Sequence, residues 1–103
     1  MSQYENVTFI KRANIYFEGK VTSRTIFLED GTKKTLGIML PGEYEFSTSL
    51  KEEMNILDGK LTYKLDGADW IEINGSGLFY VPAGEAFQLK VEKVTDYICT
   101  YFK

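Results

Sequence analysis

Closely spaced turn signals divide this chain into short segments, and they constrain its fold more than any other feature. Between the turns, residues 61–65 and 87–91 place apolar side chains at every second position, which is typical of half-buried β-strands. No long helical pattern interrupts the alternation. The turn signals are Asp30-Gly31, Pro41-Gly42, Asp58-Gly59, Asp66-Gly67, Asn74-Gly75 and Pro82-Ala83-Gly84, and the Asp-Gly and Asn-Gly pairs favour tight hairpins. The sequence therefore predicts an all-β sandwich or small barrel.

The composition fits one packed domain over residues 1–103, with 15% aromatic residues. Twelve basic and fifteen acidic residues give a net charge of −3, so we expect no nucleic-acid partner and no anionic membrane partner. The apolar runs are too short to span a bilayer, and the first residues do not resemble a signal peptide. Cys99 is the only cysteine and is expected to be a buried structural thiol. These features predict a cytoplasmic protein.

Residues 37–59 resemble the first sequence motif of the cupins, small jelly-roll β-barrels that usually bind a metal through histidines and a glutamate. Glu52 is separated from Gly59 by six residues, as the glutamate of that motif is. However, Phe46 and Thr48 occupy the two histidine positions, and Phe87 occupies the third histidine position, after Pro82-Ala83-Gly84. The chain contains no histidine at all. The resemblance implies a small cupin barrel, and the missing ligands predict that it holds no metal.

A more specific resemblance covers residues from about Tyr16 to Phe102. It is to the pyrimidine/purine nucleoside phosphorylase family of small cupins. This resemblance implies a pentosyl-transferring glycosyltransferase that cleaves purine and pyrimidine nucleosides with inorganic phosphate as co-substrate, without a cofactor, and works as a homodimer. The motifs that carry it are Tyr16-Phe17-Glu18-Gly19-Lys20-Val21, Gly42-Glu43-Tyr44-Glu45-Phe46-Ser47-Thr48, Glu52-Glu53-Met54, Asp69-Trp70 and Val81-Pro82.

Residues 1–15 are expected to form a short N-terminal extension of this cupin domain. Val7-Thr8-Phe9-Ile10 has the composition of a β-strand, and such a segment commonly adds an outer strand to a small barrel. An exposed strand edge must be capped or paired. The extension could therefore pair within the chain or with a second subunit.

Glu52 is the candidate catalytic residue. A carboxylate that points into the open interior of the barrel, here called the cup, could accept hydrogen bonds from ribose hydroxyls or offset positive charge at the sugar. The alternative is an exposed carboxylate at a strand end. Glu53 follows directly, and only one of two adjacent strand residues can point inward. Phe46 and Phe87 are candidate substrate-binding residues, forming a flat apolar wall that could stack on either class of base. Their alternative is plain core packing.

The remaining candidate substrate-binding residues are polar. The Thr48 hydroxyl could bind phosphate or sugar, and Tyr80 could supply a further polar contact. Arg24 and Lys20 are the candidate phosphate ligands, although ordinary surface charge is the alternative for both. The competing function is a non-catalytic cupin that binds a small molecule in an aromatic cup.

Overall fold

The structure, a computed structural model, describes residues 2–103 as a β protein. A single 3-10 turn, Phe17–Gly19, joins the second and third strands. No helix in the described part of the chain has the length and apolar character needed to cross a membrane. The strands are β1 Thr8–Phe9, β2 Asn14–Tyr16, β3 Val21–Phe27, β4 Lys33–Met39, β5 Gly42–Ser47, β6 Lys51–Leu65, β7 Ile71–Val81 and β8 Ala86–Phe102.

All eight strands belong to one antiparallel sheet. Six of them follow the order β1-β3-β4-β8-β6-β7, while β2 pairs with β3 and β5 pairs with β8. The long strand β8 connects the two parts of this sheet. One side of β8 pairs with β6 along most of its length. The other side pairs with β5 through residues 86–91 and with β4 through residues 95–101. The prediction of an all-β fold is confirmed, and the sheet curls around its own buried face.

A bulge in β6 contributes to this curvature. The pairing register of β6 shifts between Ile56 and Gly59 against β7, and again near Asp58 and Lys60 against β8. Met54 and Ile56 are buried before the bulge, whereas Leu61 is buried after it, so the inward positions change from even to odd numbers. An extra residue in one strand bends it and increases its twist.

Two of the predicted turns lie at this bend and are not hairpins. Gly59, in the bulge of β6, is paired with Gly75 in the middle of β7. Gly59 also packs against β8, because a Cβ atom there would lie 2.8 Å from the Cβ of Thr95. Glycine is used here for close approach between strands. The prediction of tight hairpins at residues 58–59 and 74–75 was therefore wrong.

The core occupies the space between the bent halves of the sheet. Its centre is the stacked pair Tyr63 and Phe79, with ring centroids 3.8 Å apart. Leu61, Leu89 and Val81 pack in the same cluster and are almost completely buried. Burying such side chains stabilises the fold by about 1.5–3 kcal/mol each. The core leaves one side of the cup unfilled, between β3, β4, the start of β6 and the end of β8.

The N-terminal segment pairs with β3 of the same chain. Thr8 of β1 lies opposite Phe27 of β3, and Asn14 of β2 lies opposite Ser23 of β3. The outer strand expected of this segment is thus present within the chain, while pairing with a second subunit stays a prediction. Met1 of the predicted extension lies outside the described residues.

Candidate active site

A cavity of about 280 Å³ lies inside the cup, close to the lower limit of typical small-molecule sites. Side chains from β2, β3, β4, β5, β6 and β8 line it, so six of the eight strands contribute to one recess. One wall of the cavity is aromatic and the other carries a carboxylate, hydroxyls and a thiol. This division between an apolar and a polar wall suits a ligand with a flat ring on one side and a polar group on the other.

The aromatic wall is built by direct pairing of two strands. Phe46 of β5 lies opposite Phe87 of β8 in the sheet register. Their rings are stacked, with centroids 5.8 Å apart and an angle of 27° between the planes. Tyr16, at the end of β2, meets Phe46 edge-on at 5.7 Å. Such contacts between rings hold the wall in place, with one aromatic face turned to the cavity.

Glu52 forms the acidic group of the polar wall. It is half-buried near the start of β6, and the thiol of Cys99 on the neighbouring strand donates a hydrogen bond to its Oε1 atom at 3.3 Å. Burial raises the pKa of the Glu52 carboxyl above its ordinary value, while the Cys99 hydrogen bond and the charge of Lys33 act in the opposite direction. Glu53 points away from the cavity and accepts a hydrogen bond from the Tyr80 hydroxyl at 3.0 Å.

Neutral hydrogen-bonding groups surround this carboxylate. Burial raises the pKa of Tyr97 to about 12 and raises the pKa of both Cys99 and Tyr101 above their ordinary values. All three groups are therefore protonated near neutral pH and act as donors. The Tyr101 hydroxyl lies 3.4 Å from Oγ1 of Thr35. Cys99 is thus a buried donor to Glu52, and its thiol is not activated as a nucleophile.

Comparison with known proteins identifies the group to which this sequence is related. The sequence profile of the family described as pyrimidine/purine nucleoside phosphorylase matches residues 11–101. A protein of that name from Leptospira interrogans is 57% identical over all of this chain and 98% of its own length. Another, from Sulfurimonas denitrificans, is 52% identical over the full length of both proteins. The chain belongs to the pyrimidine/purine nucleoside phosphorylase family.

Solved structures show the same fold. A protein of unknown function from Acinetobacter sp. ADP1 superposes with a TM-score of 0.91 at 38% identity, covering 97% of this chain and 98% of its own. A cupin domain from Schizosaccharomyces pombe superposes with a TM-score of 0.67 at 18% identity, covering 89% of this chain and 69% of its own. The second likeness concerns the fold alone and confirms the predicted cupin architecture for this family member.

Three of the residues predicted for the phosphorylase site come together in the cavity. Glu52, Phe46 and Phe87 all line it. Of the two adjacent glutamates, Glu52 faces the cavity and Glu53 faces the outer surface. Their roles toward a substrate stay predictions, but their positions meet the geometric requirement for those roles.

Thr48 lies beside the cavity wall, and its hydroxyl is already engaged within the protein. It donates to the carbonyl of Pro82 at 2.6 Å and accepts a hydrogen bond from the backbone N–H of Glu85 at 3.2 Å. Thr48 follows the last residue of β5, so the strand alternation that would have turned it into the cup has ended. Thr48 therefore connects the turn at 82–85 to β5, and it does not line the cavity.

The other three predicted binding residues lie outside the cavity. Tyr80 is on the outer face of β7, where it contacts Glu53. Arg24 is exposed on β3 and donates to the backbone carbonyl of Lys11, because Ser23 and Thr25 are the inward positions of that strand. Lys20 is exposed just before β3. The structure therefore does not bring these three residues together with Glu52, Phe46 and Phe87.

Sequence reasoning missed the cation that does line the cavity, Lys33. It is the first residue of β4, and its Nζ atom lies 4.6 Å from the centre of the Tyr101 ring. Lys33 has the same parity as Thr35 and Met39, which are both buried. Met39 could have indicated this position from the sequence. It is an apolar residue expected to face inward, and every second residue back along the strand from Met39, as far as Lys33, faces the same side.

Proposed function

We propose that the protein is a nucleoside phosphorylase that uses inorganic phosphate to release the free base and forms (deoxy)ribose 1-phosphate. One observation supports this most: in a member of this family, a stacked aromatic wall and a half-buried carboxylate face the same cavity. In the reaction, a phosphate oxygen forms a bond to C1′ as the bond from C1′ to the base nitrogen breaks. The base takes the electron pair of that bond and a proton given up by the phosphate or by water.

Glu52 is the proposed catalytic residue. Positive charge develops at the sugar as the base leaves, and a carboxylate held in a partly desolvated wall stabilises that charge more strongly than it would in water. The thiol of Cys99 holds the Glu52 carboxylate from one side through the 3.3 Å hydrogen bond. The remaining oxygen capacity of Glu52 is free to accept hydrogen bonds from ribose hydroxyls.

Broad base specificity follows from the aromatic wall in this proposal. Phe46 and Phe87 present carbon surfaces, which stack on purines and pyrimidines without reading the hydrogen-bonding pattern of a base edge. We also propose that the reaction is independent of metal. The reason is the ligand chemistry: Phe46, Thr48 and Phe87 stand where cupins carry histidines, and the chain has no histidine.

Two further proposals concern the protein's surroundings. We propose a homodimer that acts in the cytoplasm on small molecules, without nucleic-acid or membrane partners. The net charge of −3 supports the exclusion of polyanions, and exposed apolar side chains such as Phe9, Ile15 and Val94 favour association. Light scattering after size-exclusion chromatography measures the subunit number, and a monomer at micromolar concentration contradicts the proposed dimer.

The decisive experiment measures base release from uridine and inosine with and without phosphate. We expect uracil and hypoxanthine to appear only with phosphate, at a rate unchanged by a chelator. Glu52→Gln should lower kcat by roughly 10²–10⁴-fold, as loss of electrostatic stabilisation of a transition state does. Glu53→Gln is the matched control, because it makes the same chemical change one residue away on the outer face, and it should leave kcat unchanged.

Each other outcome of this assay contradicts the proposal. Folded protein that releases neither base is not a phosphorylase of these nucleosides, and tight binding without turnover indicates the competing non-catalytic cupin. Base release without phosphate indicates a hydrolase. Equal activity of Glu52→Gln and wild-type protein removes Glu52 from the mechanism.

A further inference from the structure

Lys33 is a cavity-lining cation without a carboxylate partner. Among residues 2–103 it is the only lysine or arginine that lines the cavity. It forms no ion pair with a carboxylate of the described chain, where Lys60 and Glu92 make the salt bridge. Lys33 is only partly buried, and its ammonium group can take a partner of opposite charge. An anionic ligand in the cavity would provide that partner.

The surroundings of Lys33 suit a tetrahedral anion. Lys33 lies directly opposite Tyr101 in the pairing of β4 with β8, and its Nζ atom lies over that ring. Ser47 and Ser49 line the same cavity and add hydroxyl donors. An ammonium group with hydroxyl donors nearby is a common way for proteins to bind phosphate, in which the lysine acts as a point charge.

Two other cations near the cup, Arg24 and Lys34, form hydrogen bonds outside the cavity. Arg24 is bound to the carbonyl of Lys11 on the outer surface. Lys34, the next residue after Lys33, donates to Oγ1 of Thr100 at 2.7 Å on the opposite face of the sheet. Two adjacent lysines on one strand thus point to opposite sides, and only Lys33 can reach a ligand in the cavity.

We infer that Lys33 binds the phosphate co-substrate and holds it beside the sugar. This inference rests on the proposed phosphorylase function and extends it by naming the phosphate-binding residue. Lys33 and Glu52 line the same cavity, so the cation and the carboxylate share one site. A phosphate held at Lys33 would therefore enter on the polar side of the cavity, facing the aromatic wall against which we place the base.

The test compares Lys33→Gln and Lys33→Arg with Lys34→Gln as the matched control. Loss of one charge-assisted contact should raise the KM for phosphate, and the dissociation constant of phosphate alone measured by ³¹P NMR titration, by roughly 10- to 100-fold. The KM for uridine should change less than about 3-fold, since Lys33 is not assigned to the base or the sugar. Lys33→Arg should recover part of the phosphate affinity. Lys34→Gln should match the wild-type protein in both phosphate measurements.

The possible failures can be told apart. An unchanged phosphate KM in an active Lys33→Gln variant overturns the inference and leaves the phosphorylase proposal intact. Equal increases in the KM for phosphate and for uridine also overturn it, because they indicate a general loss of site structure. If wild-type protein shows no phosphorolysis but Lys33→Gln still weakens phosphate binding, the anion site stands and the proposed function fails.

Discussion

Replacing Thr48 by valine tests whether this side chain stabilises the fold by hydrogen bonding to the turn at residues 82–85. Valine keeps the shape of threonine and its preference for extended backbone, so the change removes the hydroxyl alone. The Thr48 hydroxyl makes two good hydrogen bonds, to the Pro82 carbonyl and from the Glu85 N–H. At a net contribution near 1 kcal/mol for each bond, Thr48→Val should lower the free energy of unfolding by about 2 kcal/mol.

This loss corresponds to a measurable change in melting temperature. For a domain of 103 residues, the entropy of unfolding is about 0.2 kcal/mol per kelvin, so Tm should fall by about 10 °C. Thr48→Ser keeps the hydroxyl and loses one methyl group, which costs about 0.8 kcal/mol, or about 4 °C. Thr62→Val is the control: Thr62 lies in β6 and makes no side-chain hydrogen bond with residues 2–103, so the change should stay within about 0.5 kcal/mol.

Thermal unfolding followed by circular dichroism, with urea denaturation at 25 °C, measures these differences. A Thr48→Val variant that melts within about 2 °C of the wild-type protein would contradict the structural role of this hydroxyl. A variant that keeps its stability but loses activity would restore the role that the sequence predicts, a hydroxyl that contacts substrate. We expect the opposite pattern, in which folded Thr48→Val retains the wild-type KM for uridine.

Three other predictions concern the site and the 3-10 turn between β2 and β3. Because burial raises the pKa of Glu52, the contribution of Glu52 to stability falls as the pH rises above the ordinary glutamate pKa of about 4.3. Glu52→Gln should therefore be more stable than the wild-type protein at pH 8. Urea denaturation measures this difference, and the two proteins should have equal urea midpoints below pH 4. Cys99→Ala removes a hydrogen-bond donor to Glu52 and should move the acidic limb of the pH profile of kcat/KM to higher pH. Cys99→Ser should move this limb less. Identical acidic limbs in the wild-type protein and both variants would contradict the contact between Cys99 and Glu52. Glu18 has a left-handed backbone with φ 56° and ψ 33°, so Glu18→Gly should raise Tm by a few degrees, while Glu43→Gly in the extended strand β5 should lower it.

Much of the fold could be predicted from local sequence. Alternation identified the strands around residues 61–65 and 87–91, and four of the six turn signals do separate neighbouring strands. The turns predicted at Asp58-Gly59 and Asn74-Gly75 were wrong, because the backbone freedom of glycine serves both a tight turn and a bend between paired strands. Only tertiary pairing distinguishes the two uses, and here Gly59 meets Gly75 across the sheet.

The site was predictable where a motif fixed the spacing. Glu52, Phe46 and Phe87 were located from the cupin frame, and all three line the cavity. Thr48 could not be assigned in the same way, because its orientation depends on where β5 ends. Lys33 was missed because most lysines lie on solvated faces, a general tendency that cannot show which strand end opens into a cavity.

The bulge of β6 makes the length of this strand as important as its composition. Ile56 and Leu61 are both buried, although an uninterrupted strand would send them to opposite faces. Deleting or inserting one residue at positions 57–60 would reverse the facing of everything on one side of the change, and Glu52 would exchange places with Glu53. The turn at residues 66–70, between β6 and β7, carries no such constraint. Natural variation in chain length should accordingly gather in that turn and avoid the bulge.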